Sequence, residues 1–208
     1  MGVAADERRA LCDLFDQLGP EAPTLCGGWQ SRDLAAHLAL RDRRPDAAPG
    51  ILIKAFAGYT TRVQNQLAAK PWDELVRLVR TGPPGWSPFA VPALGELVNG
   101  PEYFVHHEDL RRGQPDWSPR PADPARDATV WTALGRVGRM AFRRSPVGVV
   151  LRRPDGAEVT AKRGPNMVAV LGEPGELLLY AFGRGEVQVS YDGDQHAIGV
   201  VQGLDRSF

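Results

Sequence analysis

The segment PEYFVHHEDLRR, residues 101–112, places two histidines and three acidic residues on a stretch that otherwise has the apolar content of a buried helix. On a helix that turns 100° per residue, His106 lies one turn beyond Glu102 and about 40° around the axis from it. Asp109 lies about 20° to the other side of Glu102, whereas His107 and Glu108 point away from this polar stripe. A carboxylate and an imidazole on one rigid face suit Zn²⁺ or a similar divalent metal. Polar pairs at this spacing also occur on helices simply as solvated surface, so the spacing leaves both interpretations open.

A catalytic metal needs a third protein ligand, and the chain has four histidines in all. His37 lies in GGWQSRDLAAHLALRD, on a second predicted helix with apolar neighbours, where a bundle would turn it toward the polar stripe. Taken alone, His37 also fits an ordinary hydrogen-bonded core or surface histidine. His196 follows a DGDQ turn and is expected to be exposed. Cys26, three residues before Trp29 at the entry to this helix, could approach the site, but it is interpreted in the first place as a buried structural thiol.

The elements that must position these residues are helical over the first two-thirds of the chain. Apolar residues recur at helical spacing from Leu11 to Leu18, and a second helix is predicted from Ser31 as N-cap. A third helical region spans about 50–80, and a fourth helix covers about 93–112, with Pro101 inside it as a source of a kink or a new helical start. A further helix is predicted within 124–143.

Beyond Pro146 the pattern changes to short β-branched runs that are separated by turns. Strands are predicted in VGVVLRR, AEVTAKR, NMVAVLG and EVQVSYDGD, and a helix is predicted in PGELLLYAFGR, residues 174–184. The fold class is therefore α+β. The predicted domains are a helical bundle over 1–145 and a small α/β domain over 146–208.

The amino-acid composition limits the classes of molecule that the chain is expected to bind. The chain has 25 basic and 25 acidic residues and no formal net charge, which argues against electrostatic attraction to nucleic acid or to an anionic membrane. No apolar run approaches the length that spans a bilayer. Two cysteines are too few for a disulfide scaffold, so a cytoplasmic chain with free thiols is expected.

The two motifs LCGGWQSRDLAAHLALRD and EYFVHHEDLRR, in this order, resemble those of the DinB-like superfamily. The resemblance is strongest to its actinobacterial branch of mycothiol-dependent maleylpyruvate isomerase-like metal-binding proteins, and it extends loosely to GELLLYAFGR near the C-terminus. It implies a four-helix bundle followed by a small α/β domain, with a divalent metal, commonly zinc, held inside the bundle.

Carried over position by position, the resemblance implies that His37, Glu102 and His106 are the metal ligands. It implies that Asp109 orients a ligand or the substrate and, more loosely, that Arg184 of the C-terminal part assists the active site. From its position alone, Arg184 fits an ordinary cation at the end of a helix equally well.

The function that the resemblance implies is that of a metal-dependent thiol transferase or isomerase. Its partners would be a small-molecule thiol of the mycothiol type and a small electrophilic substrate. Two alternatives from other classes stay open: a metal-binding sensor or interaction module without turnover, and a structural bundle with a solvated polar stripe and no metal. Hydrolysis of an ester or amide by a metal-activated water is a further enzymatic variant that no residue pattern singles out.

Overall fold

A computed structural model describes residues 2–51 and 53–206 of the chain. Over these residues the protein is α+β, with eight α-helices and one four-stranded mixed sheet. The chain forms two compact units, one ending at Pro121 and the other beginning at Ala122. Within the described ranges, no helix is both long and apolar enough to span a membrane.

The N-terminal unit is helical. Its helix α1 packs against α4 and α5, while α2 packs against α3 and α4. The shared core consists of fully buried apolar side chains, among them Leu11, Phe15, Leu34, Leu75 and Tyr103. The five helices are α1 (Val3–Leu18), α2 (Ser31–Arg43), α3 (Ala57–Ala68), α4 (Trp72–Arg80) and α5 (Pro92–Arg112), and short 3-10 turns lie at Ala48–Ile51, Lys54–Phe56 and Pro88–Ala90.

The two helices that carry the candidate ligands begin in different ways. At α2 the N-cap is Gln30 rather than the predicted Ser31, because Gln30 and Asp33 form a capping box and the Ser31 hydroxyl donates instead to the carbonyl of Ala22. Helix α5 begins near Pro92 and runs without interruption through Pro101. The alternative of a new helical segment beginning at Pro101 is therefore wrong.

The C-terminal unit packs helices on a small sheet of strand order β2-β1-β3-β4. The central pair, β1 and β3, is parallel, and both outer pairs are antiparallel. Helix α6 packs against α7 and β2. The elements are α6 (Pro124–Ala141), β1 (Val149–Arg152), β2 (Glu158–Lys162), β3 (Val168–Leu171), α7 (Pro174–Ala181), β4 (Ser190–Asp192) and α8 (Gln195–Gln202).

All four predicted strands are present, although β4 covers three residues of the predicted nine, and helix α8 is an additional element that the sequence patterns do not indicate. The compact units divide before α6, whereas the predicted domain boundary at 145/146 lies after it. The difference has a packing cause, since α6 lies on α7 and on the sheet. The boundary at 145/146 as a division between independent domains stays a prediction.

Candidate metal centre

Helices α2 and α5 bring the three predicted metal ligands together. One oxygen of Glu102, Oε1, lies 3.5 Å from Nε2 of His37 and 3.3 Å from Nε2 of His106. One donor atom from each of the three side chains lies within 4.8 Å of both others. The helical spacing explains the pair on α5, and the contact with His37 comes from the fold of the helical unit.

The separations fit a shared ion better than direct hydrogen bonds. An N–H···O bond spans about 2.7–3.2 Å, so both contacts to Glu102 are longer than a good hydrogen bond. Ligands about 2.0–2.1 Å from a tetrahedral Zn²⁺ lie about 3.3–3.4 Å from one another. Two imidazoles and one carboxylate are also a donor set that zinc uses. The residues present therefore fit a divalent metal.

The site is mostly buried but partly accessible to solvent. His37 and His106 are buried, whereas the Glu102 side chain is 22% exposed. The ring of Trp29 packs 5.3 Å from that of His37, and the two histidine rings meet edge to face at 5.2 Å. Trp29 is thus an aromatic wall of the site as well as part of the helical core.

A second set of contacts supports His106 at Nδ1, the ring nitrogen that does not face Glu102. Its Nδ1 lies 3.0 Å from Oδ2 of the fully buried Asp109, and the Cys26 thiol donates to the same oxygen at 3.1 Å. These are hydrogen-bond distances. When His106 is neutral, as a metal ligand must be, the hydrogen bond from Nδ1–H to Asp109 selects the tautomer whose Nε2 lone pair faces the side of Glu102.

Cys26 corrects one expectation. It is half-buried and contacts Asp109, so the interpretation as a buried structural thiol is wrong. Cys26, His106 and Asp109 form a second group with metal-binding donor types. Because direct hydrogen bonds already account for the spacing of Asp109 from its two partners, we interpret this group as a support for His106 rather than as the ion site.

Arg41 is a part of the site that was not predicted from the sequence. It lies one turn after His37 on α2, and its Nε is 3.3 Å from the same Oε1 of Glu102. Its Nη1 donates to Oδ1 of Asn99 at 2.6 Å, and its guanidinium lies over the ring of Phe89. The i, i+4 spacing from His37 is the signal that the sequence contains.

The electrostatics of the site follow from burial and close contacts. Burial raises the pKa of Glu102, but Arg41 and the two histidines outweigh it and hold that pKa well below its usual range. For His106, burial opposes the charged form, while Asp109, Cys26 and Glu102 together raise its pKa well above the ordinary value. Burial lowers the pKa of His37. The Glu102 carboxylate is thus held in its ionised form between two imidazoles, one with a raised pKa and one with a lowered pKa.

The remaining polar residues of the opening segment lie elsewhere, as predicted. His107 Nδ1 contacts Glu7 at 2.9 Å, and Arg112 donates to Glu108 at 2.6 Å. In the C-terminal unit, Arg184 follows α7 and donates to the carbonyl of Phe182, and His196 is exposed as expected. The catalytic role predicted for Arg184 stays a prediction.

The fold has solved relatives. The chain matches a crystal structure of the mycothiol-dependent maleylpyruvate isomerase with a TM-score of 0.60 and 17% identity, over 91% of this chain and 90% of that one. It also matches a histidine-to-alanine mutant of that isomerase with a TM-score of 0.61 and 15% identity, over the same shares of both chains. This chain has the isomerase fold. The predicted resemblance is therefore confirmed at the level of the fold.

No family model matches the chain, and no curated protein sequence matches it. The structural likeness covers both compact units at an identity that establishes the fold alone. The chemistry of the site must therefore be argued from its own residues.

Proposed function

We propose that this chain binds a divalent metal through His37, Glu102 and His106. Two imidazoles and one carboxylate favour Zn²⁺ as that metal. The observation that carries the proposal is the convergence of three donor atoms from two helices at ligand-like separations. The fold match supports the further proposal that the N-terminal unit is a DinB-like four-helix bundle that holds the ion among its helices.

The activity we propose is that of a metal-dependent thiol transferase or isomerase acting on a small electrophile. A thiol of the mycothiol type is the proposed cosubstrate, because the solved protein with this fold is described as mycothiol-dependent. A bound divalent metal supplies a Lewis acid that stabilises a thiolate at neutral pH. Three protein ligands, rather than four, match the catalytic type of zinc site, which keeps one position for substrate.

The surrounding residues have separate roles in this proposal. Asp109 is a positioning residue, since it accepts from His106 Nδ1 and so directs Nε2 toward Glu102. Trp29 packs against His37 and restricts the access of water to that side. Arg184 is proposed to bind an anionic group of the electrophile through its guanidinium.

The test is thiol-dependent conversion of a small electrophile by the zinc-loaded protein. Purified wild type and a His37→Ala variant would be mixed with mycothiol and a small electrophile such as maleylpyruvate, and both compounds followed by chromatography. Loss of the electrophile with the thiol retained indicates an isomerase, and loss of both with formation of an adduct indicates a transferase. We expect turnover in the wild type, loss of turnover in His37→Ala, and unchanged turnover in the matched control His196→Ala, whose side chain is exposed. Stoichiometric zinc binding without any turnover would instead support a metal-binding sensor or interaction module.

A further inference from the structure

Arg41 already places a positive charge where the proposed metal would bind. Its side chain is 11% exposed, and its Nε faces Oε1 of Glu102 at 3.3 Å. This is the same oxygen that faces both histidines. A divalent ion bound to Glu102 would repel a guanidinium at this distance, because the partly buried site screens charge less than bulk water does.

The next residue offers a second place for that guanidinium. The Asp42 side chain is fully buried, and its Oδ2 accepts a hydrogen bond from the Tyr103 hydroxyl. Its other oxygen, Oδ1, has no hydrogen-bond partner among the residues that the structure describes. A buried acceptor without a partner is costly, so a donor close by would be drawn to it.

Arg41 is that donor. Its Nη1 lies 3.7 Å from Oδ1 of Asp42, beyond hydrogen-bond range but within an ion-pair distance. At present Nη1 donates to Asn99. One guanidinium therefore lies between two carboxylates and hydrogen-bonds to neither through Nη1.

We propose that Arg41 is a two-position cation that controls metal occupancy: it neutralises Glu102 in the metal-free site and moves to Oδ1 of Asp42 when a metal takes Glu102. This inference rests on the metal site of the proposed function. It makes Arg41 a competitor of the metal, and Asp42 the residue that lowers the cost of displacing it.

The experiment is a double-mutant cycle on Zn²⁺ affinity, measured by competition with a chromophoric chelator. Arg41→Gln removes the competing charge and is expected to bind zinc about 10-fold more tightly than the wild type. Asp42→Asn keeps the acceptor for Tyr103 but removes the anion, and is expected to bind about 5-fold more weakly. In the Arg41→Gln background, Asp42→Asn should change the affinity less than about 2-fold, because no guanidinium remains to be displaced.

The matched control is Arg44→Gln, since Arg44 lies at the end of the same helix and pairs with the exposed Asp46. It should leave zinc affinity unchanged. Equal effects of Asp42→Asn in both backgrounds, or weaker binding by Arg41→Gln, would overturn the proposal. Absence of zinc binding by the wild type would instead overturn the metal site itself, so the two failures are distinguishable.

A second measurement covers the case in which a variant does not fold. In ¹⁵N-labelled wild type, the Nε–H resonance of Arg41 should shift on addition of one equivalent of Zn²⁺, while that of Arg44 should not. If zinc binds and the Arg41 resonance stays in place, Arg41 does not move and the proposal is wrong.

Discussion

At the scale of single residues, the site depends on the two nitrogens of His106 having different partners. Nε2 faces Glu102 at 3.3 Å, and Nδ1 faces Asp109 at 3.0 Å. The Cys26 thiol donates to the same carboxylate, so the loop before α2 also contributes to the support of this α5 imidazole. Such supporting hydrogen bonds orient a ligand and increase its basicity.

Asp109 supports His106 through its negative charge as well as through its hydrogen bond. Asp109→Asn keeps the size of the side chain but removes its charge, and we expect zinc affinity to fall about 10- to 100-fold. The measurement is the same chelator competition. Asp116→Asn is the control, because Asp116 is exposed in the same unit. An unchanged affinity in Asp109→Asn would show that His106 is positioned without Asp109.

Whether a contact of the site can be predicted from the sequence depends on how many residues separate its two partners along the chain. Glu102, His106 and Asp109 share one helix, so helical periodicity alone predicts that they lie on a common stripe. Cys26 is 83 residues from Asp109, and its contact depends on how the loop before α2 approaches α5. Periodicity carries no information about such a contact, which is why the sequence favours a core thiol at this position.

At the scale of elements, α5 presents different polar residues on different faces. One face has the candidate ligands, and another has His107 and Glu108, which pair with Glu7 and three arginines. Apart from the partly exposed Glu102, both sets are buried, so α5 has little of the one-sided apolar pattern of a surface helix. The sequence nevertheless predicts the helix, because the length of the uninterrupted run and the Gly113 at its end both indicate one.

Helix α6 offers a test of how tightly an element packs on the sheet. A Cβ added to Gly138 would lie 3.0 Å from Leu151 Cδ1 and 3.3 Å from Ala161 Cβ, whereas at Gly135 the nearest group is Arg139 Nη2 at 4.0 Å. We predict that Gly138→Ala destabilises the protein by about 1 kcal/mol through overpacking. Gly135→Ala should stabilise it by about 0.5–1 kcal/mol, because alanine favours the helix.

Urea unfolding of the two glycine variants in parallel measures this difference. The pair shares one helix and one substitution, so helix propensity cancels between them. Equal free energies of unfolding for Gly138→Ala and Gly135→Ala would show that α6 does not lie tightly on β1 and β2.

At the scale of the whole molecule, the zero net charge includes charges that form a network of buried ion pairs. Glu7 of α1 contacts His107 on α5 and Arg120 in the segment that follows α5, each at 2.9 Å. Arg120 also pairs with Glu108 at 2.7 Å and lies over the ring of Phe104. The network ties the last residues of the N-terminal unit to two of its helices. Composition predicts the balance of charge but not its burial.

This network predicts a pH dependence of stability. Burial raises the pKa of Glu7, but His107 and Arg120 outweigh it, so the pKa lies below the ordinary value of 4.5. A lowered carboxyl pKa contributes stability above pH 4.5 that is lost as the pH falls through the pKa of the folded protein. Glu7→Gln should therefore be less stable at pH 7 by about 2 kcal/mol, because it removes one of the two carboxylates that pair with the partly buried Arg120 and the acceptor that faces His107.

The check is urea unfolding of wild type and Glu7→Gln at pH 7 and at several values below pH 4.5. The difference between them should shrink as the pH falls. Asp6→Asn is the control, since Asp6 is its exposed neighbour on α1. A difference that stays constant with pH would mean that the carboxylate of Glu7 gains nothing from its partners.

Binding of one divalent metal by His37, Glu102 and His106 underlies every proposal about this site. The most direct measurement is elemental analysis of the purified protein, beside His37→Ala and the control His196→Ala, after exposure to Zn²⁺ and removal of the unbound ion. We expect about one equivalent of zinc per chain in the wild type and in His196→Ala, and a large loss in His37→Ala. No bound metal in the wild type, or equal metal in all three proteins, would contradict it.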